Sequence, residues 1–409
     1  MTIQELIQKN CKENSSIEWW PRYAYHFTSI VNAISILETG KLYSRSNAAL
    51  LGVMKNDNAS MQVIDVTNEE AKHAVRFYFR PLTPTQYYNE GYKHPAIRFD
   101  GDSNANCSIP IFFVFDLNKF LSLPGCTFSE VSRAGGAPQM QSGLEAFSRL
   151  NFKMIYKNGR MENPEQEKLY RQAELSQVSP MEIESCLSYI LCRNEFEQSM
   201  LLLLLKEKSN MLFLHYRPLI KVCKTNMFQN NGLFIENSYY LRSKNRLSIL
   251  FSDDYDRKRY AYVQMQQKGI HGLDPLNATL MINWYKTKYN KMEKVHQVFI
   301  PLAIEYLQPT NIGIQLPEIK GASGLRMSFT LENDLGQFTR NYTQTVKRAA
   351  DNKRRYAPGW VHSTCLLRGF PKGAAPHLAH DFAEQSVVCY TLCRRCPENT
   401  VAAGEGKGI

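Results

Sequence analysis

Three short stretches carry residue types that could act on a ligand. The first, "YHFTSIVNAISILETGKL", sets His26 and Thr28 beside the start of a short apolar helix that stops at Gly40. An imidazole can donate a hydrogen bond to a ribose hydroxyl, and free N–H groups at a helix start attract a carboxylate or phosphate. The same residues also fit plain structure, with Thr28 or Ser29 as the helix cap and His26 as a core histidine. The second, "VRFYFRPLTPTQYYNEG", interleaves Arg76 and Arg80 with Tyr78, Tyr87 and Tyr88. The third, "YRQAELSQVSP", places Glu174 two residues after Gln172, with Arg171 just ahead. A lone glutamate or arginine is most often a solvated face. The order of the pieces along the chain is what argues for chemistry.

A metal is not expected. Cys389, Cys393 and Cys396 form C-x3-C-x2-C, with His362, His377 and His380 upstream, but the second ligand pair of a zinc finger is missing. HExxH, the phosphate-binding loop GxxxxGK[ST], GxSxG and GxGxxG do not occur.

The elements that must position these residues can be read coarsely. Residues 1–20 read as a helical lead-in. Val31, Ile34 and Leu37 share a helical face ahead of Gly40. "AVRFYFRP" and "IPIFFVFDL" are aromatic and β-branched and read as strands, with "LTPTQYYNEGYKHP" a loop between them. "RAGGAPQMQSG" reads as a flexible segment and "RNEFEQSMLLLLLKEK" as a buried helix. From about residue 211 the pattern is mixed: "LFLHYRPLIKV", "LFIEN", "YYLR", "LSILF" and "VHQVFIPLAIEYL" read as strands and "ATLMINWYKTKYNKMEK" as a helix. Residues 311–409 read as an extension ending in a Gly-rich tail.

The bulk numbers narrow the class. A chain of 409 residues with 44% hydrophobic content can bury a core and exceeds one small domain. Its net charge of +11 favours an anionic partner, most simply nucleic acid. The longest apolar run, Leu201 to Leu205, is too short to span a bilayer, and the N-terminus lacks an apolar signal region. Ten scattered cysteines read as reduced thiols, so the expected compartment is cytoplasmic, with no membrane association.

Together these stretches, with "LCRNEFEQSMLLLLL", resemble the DarT family of DNA ADP-ribosyltransferase toxins over about residues 22–210. The resemblance implies an α+β fold: an ADP-ribosyltransferase-like core of two small packed β-sheets with surrounding helices. That domain would occupy residues 21–310, with an α/β elaboration from about 211 and the C-terminal extension behind it. It implies NAD as co-substrate, held by His26, Thr28, Tyr78 and, as a further contact, Asn32. Glu174 would be the catalytic glutamate, preceded by a substrate-recognising loop. The family also uses an arginine between the first helix and the aromatic strand. Arg45 is the candidate in that interval, and Arg76 the alternative.

The implied activity is transfer of ADP-ribose to a thymine or guanine in single-stranded DNA, as a toxin answered by a macrodomain or NADAR-type antitoxin. Cleaving the nicotinamide–ribose bond builds positive charge that a carboxylate stabilises, and the base nitrogen must lose its proton to a group within reach. Single strands expose their bases, so Arg76, Arg80, Tyr87 and Arg171 are the candidate DNA contacts. RNA or protein as acceptor, and a catalytically inactive nucleic-acid-binding module, are the competing readings.

Overall fold

Strand β1 (Tyr23–Ser29) lies at the middle of a seven-stranded sheet, where an alternation of aromatic and small residues packs both faces. The computed structural model describes residues 1–343 apart from 58–64, 66, 68, 99–105, 134–137, 289–290 and 333–335. In chain order the remaining strands are β2 (Lys41–Leu42), β3 (Ala74–Tyr78), β4 (Pro110–Asp116), β5 (Thr127–Ser129), β6 (Glu174–Val178), β7 (Met181–Glu182), β8 (Leu187–Cys192) and β9 (Ile220–Val222). The elaboration adds β10 (Ile235–Leu241), β11 (Arg246–Phe251), β12 (Leu276–Lys288), β13 (Lys291–Ile304), β14 (Ile312–Gln315), β15 (Gly324–Leu331) and β16 (Gly336–Thr343).

The large sheet runs β5-β6-β3-β1-β4-β8-β9. Its centre is a seam. β1 pairs β4 over seven positions but meets β3 at one, Tyr25 opposite Tyr78. The sheet therefore behaves as two small half-sheets, β5-β6-β3 and β1-β4-β8-β9, joined at that point. This is the mixed helix-and-sheet architecture that the resemblance implies. Phe77, Phe113 and Phe115 fill one side of it. Tyr25, Phe112 and Phe228 pack the other.

Helix Ile3–Glu13 leads in, closed by a capping box between Thr2 and Glu5. Helix Ile30–Thr39 follows β1. Its cap is Ser29, which accepts the Asn32 N–H, and its end is Gly40 in the left-handed conformation. Thr28 is a strand residue and not the cap. The expected loop after β3 contains a helix, Pro84–Asn89, because Thr83 caps it and Pro84 suits its first turn.

Two readings beyond residue 211 need correction. Of "LFLHYRPLIKV", only "IKV" is strand, β9, while "LFLHY" lies in a helix, Asn210–Tyr216, initiated by Ser209, whose hydroxyl accepts from Met211 and Leu212. "ATLMINWYKTK", expected as a helix, is β12. Leu276, Ala278, Leu280, Ile282 and Trp284 are buried at every second position, a period of two that the basic tail of the segment masks in the sequence. The boundary expected near 310 also falls inside sheets: β14 pairs β11, and β15 pairs β12.

The elaboration is joined to the large sheet through buried polar groups. The Glu90 carboxylate accepts from Gln86 Nε2 at 2.6 Å and from the backbone N–H groups of Gln229 and Asn230 at 2.9 and 3.1 Å. Lys93 donates to the Glu90 carbonyl and to Asn231 and lies 4.3 Å from the Tyr260 ring centroid. Between them Gly91 crosses Gly232 so closely that a Cβ on Gly91 would stand 2.7 Å from the Gly232 Cα.

Candidate active site

Glu174 opens β6 and is buried, its side chain 1% exposed. Helix Pro164–Tyr170 ends just before it, and the register sets Tyr78 of β3 directly opposite. Arg76 reaches the carboxylate bidentately, Nε to Oε2 and Nη2 to Oε1, both 2.7 Å. The backbone N–H of Arg133 adds a third bond to Oε1 at 3.2 Å. Arg76 keeps a quarter of its side chain exposed. Burial disfavours its charge, but the Glu174 carboxylate more than offsets this and holds its pKa above the ordinary value.

Tyr78 is hydrogen-bonded to the Thr85 hydroxyl, and burial raises its phenol pKa. Thr85 accepts in turn from Gln172 Nε2 at 2.9 Å. The Gln172-x-Glu174 pair is thus split between two tasks. Gln172 fixes helix Pro84–Asn89, and Glu174 faces Arg76.

His26 spans the seam. Its Nδ1 lies 3.1 Å from the Arg76 carbonyl, and its ring packs on Phe77 and Phe113 at centroid distances of 5.6 and 6.5 Å. A carbonyl only accepts, so Nδ1 carries the proton and the neutral ring leaves Nε2 as an acceptor. Burial lowers the His26 pKa, which keeps that form at neutral pH. The donor role expected of the imidazole is corrected: toward a ribose hydroxyl, Nε2 accepts. His26, Arg76, Tyr78 and Glu174 therefore gather on β1, β3 and β6 around the seam.

The other candidates serve other partners, with Arg45 near enough to Tyr78 to favour its phenolate electrostatically. Thr28 is buried in β1 opposite Ile111. Asn32 spends its carboxamide on a neighbouring loop: Oδ1 accepts from Lys55 and Asn56 N–H at 2.8 and 3.0 Å, and Nδ2 donates to the Asn56 carbonyl at 2.6 Å. Arg45 begins the helix Arg45–Leu50 and forms an ion pair with Asp57. Asn32 and Arg45 thus hold residues 55–57, and Arg76, not Arg45, is the arginine on Glu174.

Two proposed DNA contacts are corrected outright. Arg80 is 1% exposed, stacks 4.7 Å from the Trp20 ring centroid, and donates to the carbonyls of Ile155 and Lys157. Desolvation pushes its pKa down to about 9. Arg171 is buried and bonds Glu167 and the Gly159 carbonyl. Both brace the segments that carry the site. Tyr87 is half-buried and packs edge-on to Tyr88 and Tyr260, so it seals the elaboration against the core.

Arg133 was missed. It follows β5, three helices ahead of Glu174, is 2% exposed, and places Nη1 3.0 Å from the Ser176 hydroxyl. Its only sequence signal is its place beside "AGGAPQ", which no periodicity marks. The metal-like Cys389, Cys393 and Cys396 lie outside the described residues. Among the described residues no group of three or more His, Cys, Asp or Glu could hold a metal, and none of the helices is long and apolar enough to cross a membrane. The six cysteines among them are free.

Residues 25–217 match the profile of a family described as ssDNA thymidine ADP-ribosyltransferase, DarT. No curated protein matches the sequence. Similar solved structures include Thermus sp. 2.9 DarT in complex with carba-NAD+, with 16% identity, TM-score 0.39, and coverage of 51% of this chain and 98% of that one. The same Thermus protein with ADP-ribosylated ssDNA matches at 15% identity and TM-score 0.36, over 50% of this chain and 93% of that one. Thermosipho africanus DarTG in complex with ADP-ribose matches at 12% identity and TM-score 0.38, over 54% of each chain. Identity and score are low in all three, so the similarity to the family rests on the profile match, which spans 193 of the 409 residues.

Proposed function

We propose that this chain is an ssDNA thymidine ADP-ribosyltransferase of the DarT kind, the family whose profile residues 25–217 match, and that the Arg76–Glu174 pair is its catalytic centre. The reaction moves ADP-ribose from NAD to a thymine of single-stranded DNA. The observation that carries the assignment is the buried Glu174 carboxylate, held by two side-chain bonds from Arg76 and one backbone bond from Arg133.

In this reading NAD enters at the seam, with His26 Nε2 accepting from a ribose hydroxyl and Tyr78 beside the nicotinamide. The C1′–nicotinamide bond breaks, and its electron pair leaves with nicotinamide. Glu174 stabilises the oxocarbenium-like ribose through the 2′-hydroxyl. The thymine ring nitrogen forms the new bond to C1′, and its proton passes to the Glu174 carboxylate. Arg76 steadies that carboxylate throughout. In this reading Arg133, bonded to Glu174 and Ser176, senses the incoming base. Thr28, Asn32 and Arg45 shape the approach without touching the reacting atoms.

The reading brings with it a toxin role in the cytoplasm and a reversing partner, a hydrolase of macrodomain or NADAR type. Mass spectrometry of four oligonucleotides, each built on one base, after incubation with protein and NAD tests the activity. An added mass of one ADP-ribose on the thymine oligonucleotide is expected. Modification of the guanine oligonucleotide alone would change the base, and modification of none would direct the search to RNA or protein acceptors.

A further inference from the structure

Helix Tyr255–Lys268 belongs to the elaboration. It starts behind Asp254 and stops at Gly269, which takes the left-handed conformation, φ 65°, that glycine adopts without strain. Its buried face carries Arg257, Tyr260, Ala261, Gln264 and Met265. The opposite face is not the polar one that a solvated helix normally presents. Three tyrosines are exposed among the described residues, Tyr189, Tyr255 and Tyr262, and two of them stand on this helix. Tyr255 is 75% exposed and Tyr262 58%. Seven residues apart, they fall within about 20° of each other around the axis and about 10 Å apart along it. Exposed Arg259 lies between them on the same side, four residues after the first and three before the second.

A chain of contacts ties this helix to the candidate active site. Tyr260 packs on Tyr87 with ring centroids 5.3 Å apart, and Tyr87 belongs to helix Pro84–Asn89. Two residues earlier on that helix, and so on its other side, Thr85 is hydrogen-bonded to Tyr78 and accepts from Gln172 at 2.9 Å. The tyrosine stripe therefore stands one short helix away from the strands that carry Tyr78 and Glu174. Arg259 lies toward that helix: burial and Tyr88 raise the Tyr87 phenol pKa, and the Arg259 charge opposes them. Of the acids at the start of the helix, Asp253 is paired with Lys258 at 2.7 Å, Asp254 is half-buried, and Asp256 is exposed.

We propose that Tyr255, Arg259 and Tyr262 form a stacking platform for unpaired bases of single-stranded DNA that flank the base held at Glu174. It rests on the DNA-directed activity proposed above. A tyrosine ring meets any base face to face, so stacking asks for no particular sequence, only for a base without a partner strand. The guanidinium between the two rings meets the phosphate that links the stacked bases. Both rings stand largely in water, so they contribute little to the core. A protein partner would need about 800 Å² on this side, whereas the exposed large apolar residues of this helix are the two rings and Val263.

The test uses the full chain without NAD. Fluorescence anisotropy measures its affinity for an oligothymidine of about 20 nucleotides and for the duplex of that strand with oligoadenine. Tyr255→Ala with Tyr262→Ala should weaken the single strand at least ~tenfold and leave the duplex unchanged. Tyr255→Phe with Tyr262→Phe should bind as the wild type does, because the ring and not the hydroxyl stacks. Arg259→Gln should shrink the log–log salt slope by about 0.7. Unchanged single-strand affinity in the alanine variant would overturn the proposal and leave the stripe to a protein or a membrane surface. Equal losses on single strand and duplex, or a wild type that binds no single strand, would overturn it too. Should the double variant fold poorly by circular dichroism, Tyr255→Ala alone should cost about fivefold on the single strand, and no loss would again overturn it. A wild type that binds single strands but transfers no ADP-ribose would count against the activity alone. Normal transfer by a wild type whose alanine variant binds equally well would count against the platform alone.

Discussion

Arg76 holds Glu174 along a diagonal. Tyr78 is the residue directly opposite Glu174, and Arg76, opposite Ser176, reaches back across the register to grip both carboxylate oxygens at 2.7 Å. Tyr78 is thereby left free of that carboxylate and bonds Thr85 instead. One strand of five residues delivers a guanidinium and a phenol to the same glutamate's surroundings.

Replacing Glu174 by Gln keeps its size but removes the negative charge and the proton acceptor. Transfer should fall more than tenfold, equivalent to at least ~1.4 kcal/mol in barrier, while NAD binding survives. Single-turnover transfer and calorimetric NAD titration on the same preparation check this. A rate within tenfold of wild type would refute the role.

Arg76→Ala leaves a buried carboxylate without its side-chain partner. The loss should be about 3 kcal/mol, near the lower end for a broken buried pair because Arg76 is partly exposed. Urea denaturation measures it, and Arg76→Lys should recover part of the stability but little activity, since an ammonium cannot make the bidentate bond. Arg45→Ala, by contrast, should leave Glu174 in place and cost about 1 kcal/mol, since its pair with Asp57 is only partly buried.

His26 has a folded pKa below its ordinary 6.5 because of burial. The unfolded chain therefore binds the proton first, so this contribution to stability is present above about pH 6.5 and is lost as pH falls below it. KM for NAD should be flat from pH 7 to 8 and rise only on the acid side, as Nε2 ceases to accept. His26→Ala should abolish that acid limb.

Glu167 behaves differently. Backbone N–H bonds from Asn163 and Glu162, with Lys157 beside them, hold its pKa at about 2, below the usual 4.5. Its contribution is present above about pH 4.5 and is lost as pH falls toward 2. Glu167→Gln should flatten the acid limb of a thermal-stability profile over that window.

Truncation distinguishes the two ends of the extension. A chain ending at 310 lacks β14 and β15, which pair with β11 and β12, and β16, which pairs with β15, and should be poorly soluble or unfolded. A chain ending at 344 keeps every described strand and should retain transfer. Circular dichroism and a transfer assay on both decide the boundary.

The sequence was legible where local chemistry and position coincide. The aromatic β3 and the helix closed by Gly40 stand as read, because each has a short-range signature. Arg80 was not legible: nothing within "RFYFRP" tells that Trp20 and the carbonyls of Ile155 and Lys157 lie around it. Arg133 was missed for the same reason, since its partners Glu174 and Ser176 are some forty residues away. The helix expected at 278–294 failed because lysines hid a period-two burial pattern that the pairing with β13 and β15 makes plain.

The Gly91–Gly232 crossing has a temporal meaning. A ribosome that has just completed residue 217 has made every residue of the candidate site, yet Glu90 still lacks the N–H groups of Gln229 and Asn230, and Lys93 lacks Asn231. A buried carboxylate and a buried ammonium are costly until those partners arrive. At roughly 5–20 residues per second, the large sheet must wait about a second or more for its polar floor, and longer for Tyr260 to close over it. The site is thus assembled from the first half of the chain and stabilised by the second, so the emerging fragment is born incomplete.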